Sequence, residues 1–300
     1  MGIVYSLGKP AVIQSQTPSF ELGEFCRSES TMSIIETTSV NPWITPYVRT
    51  KMRSFSSIAV LPLAARIVAA GKYDAWKFGN MFTLGSDSSV ITKATYTLVP
   101  PSIPCGTVIS NKDGQPWMSI WVGISQSVSD QGSNLFQPLL NWAPDNSAAG
   151  CPASNTEWCV AASTFTGSTQ VAQPYIAIPS KSDVDFELVY DASKGVTQKV
   201  WINGAMVSQQ TDVDGNGKAP TYIYSSNECY QGACGTLPAY SWSNLTVVLA
   251  KADKTFGDSL QLTGATSSGI KTTDDGKTWH VDAIKINQDF FYTDGSNKQC

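Results

Sequence analysis

A chain of 300 residues, 42% hydrophobic and only 15% charged, is long enough for one large core or one core with an extension. A net charge of -4 with scattered Lys and Arg excludes a nucleic-acid binder, since the densest group, Arg49, Lys51 and Arg53, is too small to make a basic face. The most apolar run, 58–70, is too short to span a membrane and carries Pro62 and Arg66, so no membrane partner is expected.

In chain order, residues 1–55 are polar and punctuated by Pro10, Pro18, Pro42 and Pro46, and read as extended arms. The spacing predicts one short helix over 61–71, with Pro62 at its first position and Gly71 just past its end. A strand interrupted near Gly79 is expected over 73–84. From 88 onward the pattern is β throughout. Alternation marks strands at 90–99, 117–125, 135–142, 158–165, 175–179, 184–190, 197–202, 221–224, 241–250 and 278–291. Asn203-Gly204 is the strongest hairpin signal, joining 198–202 to 205–209. The expected fold is all-β: a two-sheet antiparallel β-sandwich over 89–300, with residues 1–88 as an N-terminal extension containing the helix.

The central pair is the most informative stretch. Met118, Ile120, Val122 and Ile124 alternate with Ser119, Trp121, Gly123 and Ser125. In the following run Gln137, Leu139 and Asn141 share one face, and Phe136, Pro138, Leu140 and Trp142 the other. Seven cysteines are present; Cys151/Cys159 and Cys229/Cys234 are close enough to close small loops in an oxidising compartment. The opening residues show no signal-peptide pattern, which favours the cytosol, whereas the cysteine pairs and the sequon Asn244-Leu245-Thr246 suit a secreted chain. With a single histidine, His280, and no C-x-x-C spacing, neither a metal nor a cofactor is expected.

Several strands, in order, resemble the glutamic peptidases (eqolisins) and their concanavalin A-like jelly-roll relatives. Ala94-Thr95-Tyr96-Thr97-Leu98-Val99-Pro100 is similar to a core strand of that family. Ser119-Ile120-Trp121-Val122-Gly123-Ile124 is similar to its S-x-W-V-G-I strand, and Asn134-Leu135-Phe136-Gln137 to the strand bearing its catalytic glutamine. Phe136-Gln137-Pro138-Leu139-Leu140-Asn141-Trp142 is closer still to non-peptidase relatives reading L-Q-P-V-L-Q-W. The resemblance implies the sandwich fold and a groove containing Gln137. In the family a glutamate activates water while the glutamine polarises the scissile carbonyl. The best counterpart of that glutamate is the segment Tyr240-Ser241-Trp242, where the position is Ser241, and a hydroxyl is no general base at ordinary pKa. The resemblance therefore implies the fold without the peptidase reaction.

Other acidic stretches have bland readings. Asp183-Val184-Asp185-Phe186-Glu187 has the spacing of a jelly-roll glycosidase motif without its lead-in, and reads mainly as a solvated face. Asp212-Val213-Asp214-Gly215-Asn216-Gly217 starts like a calcium loop but lacks the final glutamate, and 272–279 reads as a turn. The expected function is binding of a glycan or other small ligand in a groove lined by Trp121, Gln137, Trp142, Tyr240, Ser241 and Trp242. The alternative is an enzyme of different chemistry in the same groove, such as a lyase, isomerase, cyclase or glycosidase, with Gln137, Asp185 and Glu187 as catalytic residues.

Overall fold

The computed structural model describes residues 76–110, 114–130 and 132–300. The helix expected over 61–71 and the arms before it lie outside the described residues. The described chain is built from antiparallel strands and one short 3-10 helix, Phe256–Ser259. In chain order the strands are β1 (Trp76–Phe78), β2 (Met81–Gly85), β3 (Ile91–Leu98), β4 (Trp117–Ser125), β5 (Leu135–Phe136), β6 (Leu139–Trp142) and β7 (Cys159–Ala161). There follow β8 (Ser163–Phe165), β9 (Gln170–Ala172), β10 (Ile176–Ala177), β11 (Val184–Asp191), β12 (Gly195–Ile202), β13 (Ala205–Asp212) and β14 (Tyr222–Tyr230). The last are β15 (Gly235–Leu237), β16 (Tyr240–Leu249), β17 (Gln261–Thr263), β18 (Ala265–Ser268), β19 (Lys271–Thr272), β20 (Thr278–Ile286) and β21 (Asp289–Phe291).

Two sheets make the sandwich. The larger has the path β10-β7-β6-β4-β14-β2-β17, with β1 also on β14 and β5, β8 and β9 forming a side branch from β4. The second runs β13-β12-β11-β3-β16-β20-β18, with β19 beside β20. A two-stranded ribbon, β15 with β21, completes the set. β1 and β2 are hydrogen-bonded within the larger sheet although they precede residue 89, where the sequence places the start of the sandwich. The interrupted strand expected over 73–84 is this pair, and Gly79 sits between its halves.

Alternation explains the core. Met118, Ile120, Val122 and Ile124 of β4, with Leu140 of β6, meet Ala94, Tyr96 and Leu98 of β3 and Phe186 and Leu188 of β11 in one buried cluster. Tyr96 stacks on Phe186 at 4.8 Å between ring centroids and meets Trp242 edge-on at 5.5 Å. Its hydroxyl donates to Val122 O across the sandwich at 2.7 Å, so this buried phenol is satisfied. Asn203 and Gly204 have φ of 50° and 81°, the two positive values that a two-residue type I′ hairpin requires, and they join β12 to β13 as expected.

Three disulfides occur among the described residues: Cys151–Cys159, Cys229–Cys234 and Cys105–Cys300, the last spanning a sequence separation of 195. The first two are the short loops read from spacing. The third ties the C-terminal end to the loop before β4, and its long loop restricts the unfolded chain most, by about 5 kcal/mol in a chain-entropy model. Replacing Cys105 and Cys300 by serine is expected to lower the melting temperature by about 10 °C in calorimetry. Opening Cys229–Cys234, with a separation of 5, should lower it less. Equal losses would contradict the entropic account.

Candidate functional site

The pleat that sends β4's aliphatic residues into the core sends Ser119, Trp121, Gly123 and Ser125 to the opposite face of the larger sheet. β14 runs antiparallel to β4 along its whole length, from Tyr222 opposite Ser125 to Tyr230 opposite Trp117. Its residues Tyr222, Tyr224, Ser226, Glu228 and Tyr230 therefore share that outer face. On the other side of β4, Leu139 pairs with Trp121 and Asn141 with Ser119, so the same face continues into β6.

Gln137 lies between β5 and β6, where its backbone N–H donates to Ser163 O at 2.8 Å. It stands beside Gly123, and glycine is needed there. A Cβ on residue 123 would come within 2.6 Å of Leu135 Cδ1, 2.8 Å of Phe136 O and 2.9 Å of Gln137 Cβ. The glycine lets the Gln137 segment close onto β4. Gln137 Nε2 donates to Gln170 Oε1 at 3.2 Å, while its Oε1 is buried with no hydrogen-bond partner.

Trp121 occupies the centre of this face. Its ring packs with Leu135 and Leu139 in a second apolar cluster, against which Phe165 and Tyr224 lie. It meets the Tyr224 ring edge-on at 5.6 Å. The indole Nε1 is buried and lacks a partner in hydrogen-bonding geometry. A buried unpaired donor or acceptor costs about 1–3 kcal/mol, so two on one sheet face mark a place organised for something other than packing.

Glu228 stands beyond Trp121. On β14 it pairs with Ser119 on one side and Phe78 on the other. Gln137 is next to Gly123 and Glu228 next to Ser119, so Trp121, between those two positions on β4, separates the amide from the carboxyl. The residue as a whole is partly buried, but desolvation pushes its carboxyl from 4.5 up to about 7, and the nearby Trp121 indole N–H opposes part of that rise. Burial likewise raises the Tyr224 phenol, with the Glu228 charge adding to it. On β6, Asn141 accepts from Ser119 Oγ at 2.6 Å and donates to the Tyr175 hydroxyl at 2.6 Å, which fixes the polar edge next to Glu228. A carboxyl pushed up by burial, an amide oxygen without a partner and an indole N–H directed at that carboxyl can together move a proton and bind a polarised group.

Not all residues expected in a groove with Gln137 and Trp121 are on this face. Trp142 belongs to the main core, with Nε1 donating to Asn155 O at 2.8 Å, and its edge lines a shallow cavity of about 250 Å³ with Ile103, Pro144 and Thr156. Tyr240 and Trp242 are core residues of β16 in the second sheet. Ser241, the position at which the missing glutamate was sought, is on β16 opposite Lys285, in the other sheet from Gln137. Asp185 and Glu187 face outward from β11, also in the second sheet. Asp185 accepts from Thr97 Oγ1 at 2.7 Å. Glu187 is paired with Lys93 at 2.6 Å and Lys199 at 3.0 Å. Burial pushes the Glu187 carboxyl up, but the two lysines outweigh it and hold it below its usual range.

The place of Glu228 on this face is not legible in the sequence, because only 221–224 of its strand carries an apolar alternation. The available signal was a lone glutamate in the run Ser225-Ser226-Asn227-Glu228-Cys229. Asp214 uses its carboxylate on the backbone N–H groups of Asn134, Asn216 and Lys218, as a turn-former does. His280 meets Thr246 Oγ1 and Asp282 Oδ1 at 3.0 Å each on the outer side of the second sheet. Among the described residues no group of three or more His, Cys, Asp or Glu is placed to hold a metal.

No family model matches the chain, and no curated protein does. Solved structures do. Scytalido-glutamic peptidase with a peptide-based transition-state analogue is 14% identical, over 69% of this chain and 97% of that one, with a TM-score of 0.42. A β-glucanase of Bacillus licheniformis is 10% identical over 69% and 78%, with a TM-score of 0.28. A carbohydrate-binding module from Bacillus subtilis is 11% identical over 52% and 92%, with a TM-score of 0.25. The likeness is one of fold. At these identities it decides nothing about chemistry.

The raised Glu228 carboxyl has a thermodynamic signature. Between pH 4.5 and about 7 the folded protein holds a proton there that the unfolded chain releases, so stability falls as pH rises through that window. The loss is on the order of 3 kcal/mol. Glu228→Gln, which mimics the protonated form, should match the parent in urea unfolding at pH 4 and exceed it at pH 8. The same difference at both pH values would contradict the shift.

Proposed function

We propose that the outer face of the larger sheet is the active site of a hydrolase acting on peptide bonds, with Glu228 as the acid–base group and Gln137 as the polarising amide. The observation that carries this reading is a carboxyl raised to about 7 and a buried, unpartnered amide oxygen flanking one buried indole. The resemblance of the Gln137 strand to the one bearing the eqolisin glutamine supports it, and Glu228 supplies the carboxylate that Ser241 lacks. In its ionised form Glu228 takes a proton from water as the water oxygen bonds to the scissile carbonyl carbon. The N–H of Gln137 Nε2 not given to Gln170 and the Trp121 Nε1–H are the donors available to the developing oxyanion. Glu228 then returns the proton to the departing amine as the C–N bond breaks, so the carboxylate ends as it began.

A second reading keeps a binding protein for a glycan or other small ligand, with no turnover; the cavity beside Trp142 favours it. Asp185 and Glu187 belong to neither reading, since they stand on the other sheet and Glu187 is neutralised by two lysines. Three disulfides suit an oxidising compartment for either.

The test is digestion of an unfolded protein and of a peptide library, followed by mass spectrometry between pH 3 and 8, with a glycan pool in parallel. The hydrolase reading predicts cleavage whose kcat/KM rises with pH through about 7, because the base must be ionised. Glu228→Gln should lower kcat about 10²–10⁴-fold and Gln137→Ala about 10²–10³-fold. Intact peptides together with a glycan adduct that weakens in Trp142→Ala would replace this reading with the second.

A further inference from the structure

We propose that Gln170, on the exposed strand β9, is a positioning residue that fixes which end of the Gln137 amide faces the site. The inference deepens the hydrolase reading and rests on it for its catalytic consequence.

Donors and acceptors in this chain are set outward from a group whose role is fixed. Val171 O is a backbone carbonyl and can only accept; Ser163 Oγ donates to it at 3.3 Å. With its proton committed, the Ser163 hydroxyl is an acceptor, and Gln170 Nε2 donates to it. That turns the NH₂ end of Gln170 toward Ser163 and its Oε1 toward Gln137, whose Nε2 donates at 3.2 Å. Gln137 Oε1 is thereby directed away from Gln170, into the buried position where it has no partner.

The chain is anchored at its inner end. Ser163 N–H donates to Gln198 Oε1 at 3.3 Å, and Gln198 Nε2 donates to Thr164 Oγ1 at 2.8 Å, with Ser163, Thr164 and Gln198 all fully buried. The hairpin register that pairs Phe165 with Gln170 and Ser163 with Ala172 holds the Gln170 backbone over Gln137. With the amide so turned, the face offers one acceptor, Gln137 Oε1, and two donors, the Trp121 Nε1–H and the second N–H of Gln137 Nε2, to an incoming group. In the proposed reaction Oε1 accepts from the attacking water or from the hydroxyl it becomes, and the second N–H of Nε2 stays free for the carbonyl.

The test reads the amide itself, without substrate. In protein labelled with ¹⁵N-glutamine, Gln170→Leu should speed exchange of the Gln137 side-chain NH₂ with water at least tenfold. The Gln137 backbone N–H, bonded to Ser163 O, should remain protected. Gln170→Glu keeps an acceptor for Nε2 and should restore slow exchange. Unchanged exchange in Gln170→Leu, or equally fast exchange in both variants, overturns the proposal. Kinetics supply a separate readout: Gln170→Leu should lower kcat with KM little changed, and Gln170→Glu should rescue it. If exchange responds as expected while the parent protein cleaves nothing, the positioning role stands and the hydrolase reading falls.

Discussion

The pairing of β4 with β14 is the constraint on which the rest depends. Nine consecutive residue pairs, Trp117 with Tyr230 through Ser125 with Tyr222, lock the register of two strands whose alternate residues serve opposite purposes. A slip by one residue would exchange the faces, exposing Ile120 and Val122 and driving Trp121 and Ser119 into the core. The same register puts Glu228 beside Ser119 and keeps Trp121 between it and the Gln137 segment. Fold and site are two faces of one ladder.

That ladder holds groups unfavourable to stability. A desolvated carboxyl and two buried polar atoms without partners oppose folding there, while hydrogen bonds behind the same ladder tie it to the second sheet. Tyr96 donates to Val122 O, and Tyr240 donates to Asn227 Oδ1 at 2.7 Å, so two buried phenols of the second sheet pin it to the larger one. Asn227 in turn donates to Asp289 at 3.1 Å, connecting β14 to β21. The residue next to Glu228 is thus among the most firmly held in the larger sheet. Strain on one face and reinforcement directly behind it are what a functional site on a rigid strand requires.

The sandwich was legible because its core strands alternate cleanly. β3, β4 and β11 each place aliphatic and aromatic residues at every second position, and Asn203-Gly204 announces its own hairpin. The Gln137 strand was legible through its motif. The second half of β14 was not, because Ser225 and Asn227 are polar yet point inward, where the Phe82 N–H and the Tyr240 hydroxyl satisfy them. No apolar period survives there to mark a strand. Ser241 is a different case: Y-S-W matches locally, but β16 pairs with β3 and β20 in the second sheet, and sheet membership is a long-range property. The Cys105–Cys300 bridge was equally out of reach, since nothing in the spacing joins cysteines so far apart.

The most direct measurement is the titration of the Glu228 carboxyl carbon by ¹³C NMR, assigned by its loss in Glu228→Gln. A midpoint near 7, several-fold farther from 4.5 than those of the surface glutamates, is the result this account predicts. A midpoint at the ordinary value would place the carboxyl in water and contradict a desolvated acid–base group beside Trp121.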